Sequence, residues 1–302
     1  DLSKSYFFFD EIQEVDGWEK FISRLYSSIS KQICVTGSNS KLLSTEIATS
    51  LRGRTVTFEV YPLSFKEFVK IKSPKLNINK STDKAKLINL FEKFMYQGGF
   101  PELIGKDIGL QSKILQEYFN VTVFKDIVER YKVTQVEVLK YFCKRLMSSS
   151  AGEFNPHKIY NELKSQGYKT AKDTIYAYNE YVETVYLARF IPRYFESSIK
   201  SEFSQKKVYV IDQGMGGALD FKLYQDKGRL LETTICLELL KSGKSITYMK
   251  NGTECDFIVT EKGQVAECIQ VTYDFSDENT REREVNGLVK TCKNFNLKKS
   301  LI

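Results

Sequence analysis

The chain has 302 residues and a formal net charge of +7, from 45 Lys and Arg against 38 Asp and Glu. Hydrophobic residues are 42% and charged residues 27%, the balance of a water-soluble protein with two or three cored domains. No stretch approaches the ~20 apolar residues of a membrane span, and Asp1-Leu2-Ser3-Lys4-Ser5 does not open a signal peptide, so a cytoplasmic protein with no membrane contact is expected. The six cysteines, at 34, 143, 236, 255, 268 and 292, include no C-x-x-C pair and sit in apolar segments. They read as small buried hydrophobes, and with His157 as the sole histidine a zinc site is not expected. A pI near 8.9 suits nucleic acid as a partner and suits a lysine-rich solvated surface at least as well.

Tyr6-Phe7-Phe8-Phe9 is too short for an amphipathic helix and reads as a strand covered on both faces, ending in Asp10-Glu11. A buried parallel strand delivering two acids is the Walker B pattern, one Asp for a Mg²⁺ shell and one acid for a water at a nucleotide γ-phosphate. The same two acids also suit the N-terminus of the next helix, and these six residues alone leave both readings open. Trp18, Phe21, Ile22, Leu25 and Ile29 then keep helical spacing, and Lys31 to Thr36 reads as a second buried strand. Strand, helix and strand make a βαβ unit whose strand ends share one sheet edge, where ligands bind. Thr36-Gly37-Ser38-Asn39-Ser40 supplies small polar groups there, or an ordinary helix cap. A helix over 41–51, Arg52-Gly53-Arg54 and a strand from Thr55 to Val60 follow.

Phe-Phe-Phe-Asp-Glu-Ile-Gln at 7–13, Val-Thr-Gly-Ser at 35–38, Leu-Arg-Gly-Arg at 51–54 and Pro-Leu-Ser-Phe-Lys-Glu-Phe at 62–68 together resemble the AAA+ superfamily ATPases of the archaeal and bacterial type. In that family a helical region and a C-terminal domain of unknown function follow the ATPase core. The resemblance implies ATP and Mg²⁺ as cofactors, Asp10 as the Mg²⁺ partner and Glu11 as the residue that polarises water. It also implies Ser38 and Asn39 as the γ-phosphate sensor, and Arg54, with Arg52 behind it, as the arginine that neutralises transition-state charge. Arg54 equally fits a surface arginine at a helix end. The family's G-x-x-x-x-G-K-[ST] loop has no counterpart before Asp10, and Gly243-Lys244-Ser245 sits between a helix and a strand, the reverse of the order required. The expectation is a fragment that starts after the phosphate-binding loop and stops inside a strand at Leu301-Ile302, without ATPase activity of its own.

Ser73 to Lys84 reads as a polar loop, and a helix over 83–96 ends in Gln97-Gly98-Gly99-Phe100-Pro101, another segment shared with the family and read as a helix stop. From 105 to 194 helical spacing recurs at Ile114, Tyr118, Val121, Phe124 and Val128, and at Val136, Leu139, Phe142 and Leu146. Asn155-Pro156 opens a helix that Gly167 closes, and another follows from Thr170 or Lys172. These two helices, with strands at 186–191 and 206–211, predict a winged helix, along which Lys164, Lys169, Lys172, Arg189, Arg193 and Lys200 would meet duplex DNA. A structural lid on the ATPase is the other reading of that shape.

The region from Asp212 resembles the family's C-terminal domain, which looks like the PD-(D/E)XK nuclease fold, with a helix from 228 and strands at 246–249, 255–260 and 265–272. The resemblance matches Glu232 and Asp256 to its acids but puts Gln270 at the third position and Thr272 at the lysine position, so the site reads as degenerate; Glu254 and Glu267 are nearby acids. The expected fold class is α/β, with a partial parallel-sheet AAA+ (P-loop NTPase) core over 1–104, a helical winged-helix domain over 105–211 and a truncated α/β nuclease-like domain over 212–302. The expected function is ATP hydrolysis coupled to duplex DNA, with an ATP-gated docking switch for another protein and a Mg²⁺-dependent DNA nuclease as the alternatives. A homo-oligomer follows if Arg54 acts in trans.

Overall fold

The computed structural model describes residues 2–39, 54–76, 80–250, 252, 254–297 and 300–302. The chain divides into two compact units, Asp1–Val60 with Glu180–Tyr186, and Tyr61–Asn179 with Leu187–Ile302.

In the N-terminal unit, β1 (Phe7–Phe9) and β2 (Ile33–Val35) pair in parallel, Phe7 opposite Ile33 and Phe9 opposite Val35. Helix α1 (Trp18–Ser28) connects them, as the spacing of its apolar residues requires. Its Trp18, Ile22 and Leu25 are buried with Ile12 against Phe7, Phe9, Ile33 and Val35. The strand is not covered on both faces: Phe8 is 75% exposed and Cys34 is exposed. With side chains alternating across the sheet, α1 covers one face only, and Cys34 is the one cysteine of the six that is not buried.

The strand expected from Thr55 to Val60 does not form; Val56, Phe58 and Val60 are 79%, 82% and 96% exposed. Alternation gives a segment the propensity for a strand, but a ladder also needs a neighbouring backbone, and none pairs with it among the described residues. The expected helix over 41–51, Ser40 and Arg52 lie outside the described residues.

The second unit opens with α2 (Phe65–Lys72), held by a reciprocal capping box between Ser64 and Glu67. Helices α3 (Ser81–Gln97) and α4 (Ile108–Val121) follow, and α4 runs on into wider π-type turns over Thr122–Glu129. Next come α5 (Val136–Ser148), β3 (Gly152–Phe154), α6 (Pro156–Ser165), α7 (Lys172–Thr184), whose residues from Glu180 on are grouped with the first unit, and β4 (Ala188–Pro192). Then follow α8 (Ser198–Glu202), β5 (Lys206–Val210), α9 (Gln213–Leu219), α10 (Phe221–Gln225) and α11 (Lys227–Lys241). The chain continues through β6 (Ser245–Lys250), β7 (Glu254–Glu261), β8 (Gln264–Ile269) and α12 (Glu278–Asn294). As its sequence requires, α6 starts on an Asn155 cap and Pro156, and Gly167 follows it at φ 85°. Gly243, at φ 73°, makes the turn between α11 and β6, so the Gly-Lys-Ser sequence there follows a helix and precedes a strand.

One antiparallel sheet has the order β3-β5-β4 and another the order β6-β7-β8. Arg193 pairs with Tyr248, and Tyr194 N–H donates to the Tyr248 carbonyl at 2.7 Å, which ties the chain just past β4 to β6. Tyr209, Cys236, Phe257 and Val259 lie in the core between β5, α11 and β7. Beyond β8, Leu301 pairs in parallel with Ile269.

Two segments that carry the family resemblance meet inside this unit. Leu63 N–H donates to the Gly99 carbonyl at 2.7 Å, and Gly99 N–H donates to Asp212 Oδ2 at 2.7 Å. The Leu63 carbonyl accepts from Lys241 Nζ at 2.8 Å, and Glu238 Oε1 accepts from Phe65 N–H at 3.0 Å. Gly214 packs so closely on α3 that a Cβ there would lie 2.3 Å from the Gln97 carbonyl oxygen. The Gly-Gly-Phe-Pro segment is therefore more than a helix stop: it is the surface on which 62–65 and the start of α9 close.

Candidate functional site

At the carboxyl ends of β1 and β2 the backbone brings Asp10, Glu11, Thr36 and Ser38 together. The ladder continues one step, Thr36 N–H to the Phe9 carbonyl at 2.9 Å and Ile12 N–H to the Thr36 carbonyl at 3.2 Å. Between these bonds Glu11 takes left-handed backbone angles, φ 48° and ψ 44°, a conformation that costs a non-glycine residue about 1 kcal/mol or more. Its side chain accepts from Ser38 Oγ at 3.1 Å and from Gln13 Nε2, while its N–H donates to Thr36 Oγ1 at 3.2 Å. The Thr36 hydroxyl donates in turn to Asp10 Oδ1. Both acids are exposed, and Asn39 is 2% exposed. Arg54 lies with its guanidinium 5.7 Å from the centre of the Tyr26 ring; no described contact joins it to Asp10 or Glu11. Gln13 is the participant that sequence reasoning passed over, although it stands two places after Glu11 in the resemblance-carrying segment.

A second cluster, in the other unit, gathers Glu232 from α11, Asp256 from β7 and Gln270 just past the end of β8, and adds Lys207 from β5. Lys207 Nζ donates to Glu232 Oε1 at 2.9 Å and to Asp256 Oδ1 at 3.0 Å, and lies 5.5 Å from the centre of the Tyr248 ring. Tyr209 OH donates to Glu232 Oε1 at 2.7 Å, and Val271 N–H donates to Asp256 Oδ2 at 3.0 Å. Gln270 makes no described bond to the Glu232 or Asp256 carboxylate: its Oε1 accepts from Asp256 N–H at 3.2 Å and its Nε2 donates to Glu284 Oε2 at 2.6 Å. Thr272, at the expected lysine position, donates to the Asp274 carbonyl.

The electrostatics follow from burial. Burial disfavours the Lys207 ammonium, but Glu232 and Asp256 outweigh it and hold its pKa above the ordinary lysine value. Burial, and then the neighbouring Asp256, raise the pKa of Glu232 against the pull of Lys207 and Tyr209. Carboxylates could take a divalent ion, but this pair already shares an ammonium, and Gln270 spends its carbonyl on a backbone N–H. The residues present do not fit a nuclease metal. Among the described residues no group of three or more His, Cys, Asp and Glu side chains could hold one.

Lys207, Tyr209 and Glu284 do not stand out as site residues in the sequence. The available signal is a lysine inside Lys-Val-Tyr-Val, where one residue of a buried strand is charged. Of the basic residues read as a DNA face, Arg193 pairs with Glu153 at 3.0 Å and Arg189 lies 5.8 Å from the centre of the Tyr61 ring. Those two are engaged inside the protein, whereas Lys164, Lys169, Lys172 and Lys200 are exposed. No described helix is long and apolar enough to cross a membrane.

Residues 1–69, which contain the parallel strand pair with its two adjacent acids and polar second loop, match the family model for the AAA domain and so form part of an AAA-like domain. Residues 88–226 match a domain of unknown function, DUF8612. The chain is 39% identical over 297 residues to an uncharacterized protein of Methanocaldococcus jannaschii, covering 96% of this chain and 66% of that protein. It is 34% identical over 282 residues to an uncharacterized protein of Haemophilus influenzae, covering 93% of this chain and 68% of that one. The chain belongs to the family of these proteins and spans about two thirds of their length. No solved structure matches it.

Proposed function

We propose that the chain is part of an AAA-type ATPase that hydrolyses ATP with Mg²⁺ and couples hydrolysis to duplex DNA. The observation that carries the reading is the Asp10-Glu11 pair at the carboxyl end of β1, with Ser38 of the second strand's loop bonded to Glu11. Carboxylate oxygens suit a hard cation, and a bound Mg²⁺ would neutralise phosphate charge as it develops. Asp10 is the residue to hold it. Glu11 would orient the attacking water, and its Ser38 contact would report whether a γ-phosphate is present, with Asn39 beside it. Arg54, now against Tyr26, would have to leave that ring to neutralise transition-state charge.

The DNA part rests on the order α5, β3, α6, α7, β4, α8, β5 and the sheet order β3-β5-β4, which support a winged helix with α7 as the helix offered to a groove. Lys164, Lys169, Lys172 and Lys200 would meet phosphates. The C-terminal lobe, three antiparallel strands with α11 and α12, is read as a nuclease-like module that has lost its catalytic set.

The test is ATP turnover by the full-length protein, with and without duplex DNA, beside Glu11→Gln. Loss of a general base lowers turnover by about 10²-fold or more, and DNA should stimulate the wild type. Lys164→Ala, Lys169→Ala and Lys172→Ala should each weaken DNA binding and lower its salt slope by about 1 for every phosphate no longer neutralised. Glu11→Gln turnover equal to wild type would refute the ATPase assignment. Nucleotide turnover without any salt-sensitive DNA affinity would refute the DNA part and favour a docking switch for another protein.

A further inference from the structure

The Glu232–Asp256 pair is built like a cation site, and its cation is supplied by the chain. Glu232 Oε1 and Asp256 Oδ1 both lie within 3.0 Å of a single nitrogen, and the side chains of Lys207, Glu232 and Asp256 are 11%, 14% and 10% exposed. Two carboxylates this close cannot both stay ionised in a buried site unless a positive charge stands between them. The surroundings are committed as well: Tyr209 OH and Val271 N–H take up further acceptor capacity of the two acids. The ring of Tyr248 lies against the ammonium. Lys207 comes from β5, and so from a different sheet than Asp256, which places the charge by tertiary packing and not by the local Asp-to-Lys spacing of a nuclease strand.

We propose that the Lys207 ammonium is the resident cation of the Glu232–Asp256 pair, an internal substitute for a divalent metal ion, and that removing it turns the pair into a divalent-cation site. The substitution closes the lobe to metal without dismantling the acids. Lys207→Ala would leave two carboxylate oxygens facing a space about the size of a propylammonium group, enough for a cation with part of its water shell. Metal–oxygen distances of about 2.0–2.6 Å are shorter than the present nitrogen–oxygen distances of 2.9 and 3.0 Å, so the acids need to close by about 0.3–1.0 Å, depending on the ion.

The experiment is a Mn²⁺ titration of the full chain, followed by calorimetry and by electron paramagnetic resonance of the free ion, on wild type, Asp256→Asn, Lys207→Ala and Lys207→Ala/Asp256→Asn. Any ion held by Asp10 and Glu11 appears in all four and cancels. Lys207→Ala should bind an additional Mn²⁺ equivalent that wild type lacks and that the double variant loses. A folded Lys207→Ala protein with no added site would overturn the proposal. So would a wild-type site abolished by Asp256→Asn, which would mean that metal enters beside the lysine. If Lys207→Ala does not fold, melting temperatures decide: Lys207→Met should melt below wild type, and Lys207→Met/Glu232→Gln/Asp256→Asn, which leaves no unpaired carboxylate, should melt above the single variant. A triple variant no more stable than Lys207→Met would show that the lysine is not neutralising the pair, and would equally overturn the proposal.

Discussion

Asp212 allows hydrogen bonding to be separated from charge at the junction of segments 62–65, 98–101 and 212–216. It is 1% exposed, its Oδ2 accepts from Gly99 N–H at 2.7 Å and its Oδ1 accepts from Met215 N–H at 3.0 Å. Asparagine has one carbonyl oxygen, so Asp212→Asn must turn its amide NH₂ toward one of these two donors. A buried N–H left without an acceptor costs about 1–3 kcal/mol, and the facing donor adds to that, so about 2–3 kcal/mol is expected. Asp226→Asn is the control. Asp226 caps α11 in an exposed position, accepting from Arg229 N–H at 3.0 Å, and Asn caps as well as Asp, so its cost should stay within about 0.5 kcal/mol. The pH dependence gives a second readout. Burial raises the Asp212 pKa, against the bonds from Gly99 and Met215. A raised folded-state pKa means that the contribution of Asp212 is fully present below the unfolded value of 3.8 and is lost as pH rises through the folded value. Asn has no such titration, so the gap between wild type and variant should widen as the pH falls from 7 toward 4. Urea unfolding followed by circular dichroism at pH 7 and pH 5 measures both effects. Asp212→Asn indistinguishable from Asp226→Asn at pH 7, or a gap that shrinks in acid, would refute the reasoning.

Two other changes probe the same unit. Gly214→Ala puts a Cβ 2.3 Å from the Gln97 carbonyl oxygen and 2.8 Å from Gly98 N; these are backbone atoms that cannot swing away, so a loss of about 1–3 kcal/mol is expected, and a neutral result in the same urea assay would mean that α3 and α9 are free to slide. Ser64→Ala removes the hydroxyl that caps α2, for about 1 kcal/mol. Because bonds from Ser64 lower the Glu67 pKa, the stability involved is present above the unfolded value of 4.5 and fades as the pH falls through the folded one; a thermal-melt difference that persists unchanged at pH 3 would contradict this.

Where a segment's fate depends on its own pattern, the sequence is readable. The apolar spacing of Trp18 to Leu25, the Asn155-Pro156 start and the Gly167 stop each name a local cause, and each element forms where that cause places it. Val56-Thr57-Phe58-Glu59-Val60 has an equally good strand pattern and forms none, since pairing depends on a neighbour that the pattern does not mention. Glu232, Asp256 and Gln270 can be brought together from resemblance because the strands and the helix that hold them are regular. Lys207 cannot, since its partners stand 25 and 49 residues away on elements whose packing against β5 is a tertiary result. The charge of the site is therefore the part that the sequence hides: Thr272 cannot supply the missing positive charge, but a lysine from another sheet does.

That lysine also bears on how the second unit is divided. A boundary between 211 and 212 separates a helical domain from a nuclease-like one by resemblance, but the polar contacts cross it repeatedly. Glu153 of β3 accepts from Arg193 Nη2 at 3.0 Å and from Tyr248 OH at 3.1 Å, and pairs with Lys250 at 3.4 Å. Tyr248 lies against both Arg193 and Lys207, and Tyr194 bonds to its backbone. An exposed ion pair alone would hold little; the buried charges are Lys207, Glu232 and Asp256, on β5, α11 and β7, and Tyr248 links Lys207 to the more exposed Arg193–Glu153 pair. Separating the two parts would leave Lys207 without either acid and both acids without their cation, so the pairing that holds these charges in a buried site exists only while the parts are joined. The helical part and the C-terminal lobe therefore hold each other's charges, since Lys207 of β5 bonds to Glu232 of α11 and Asp256 of β7.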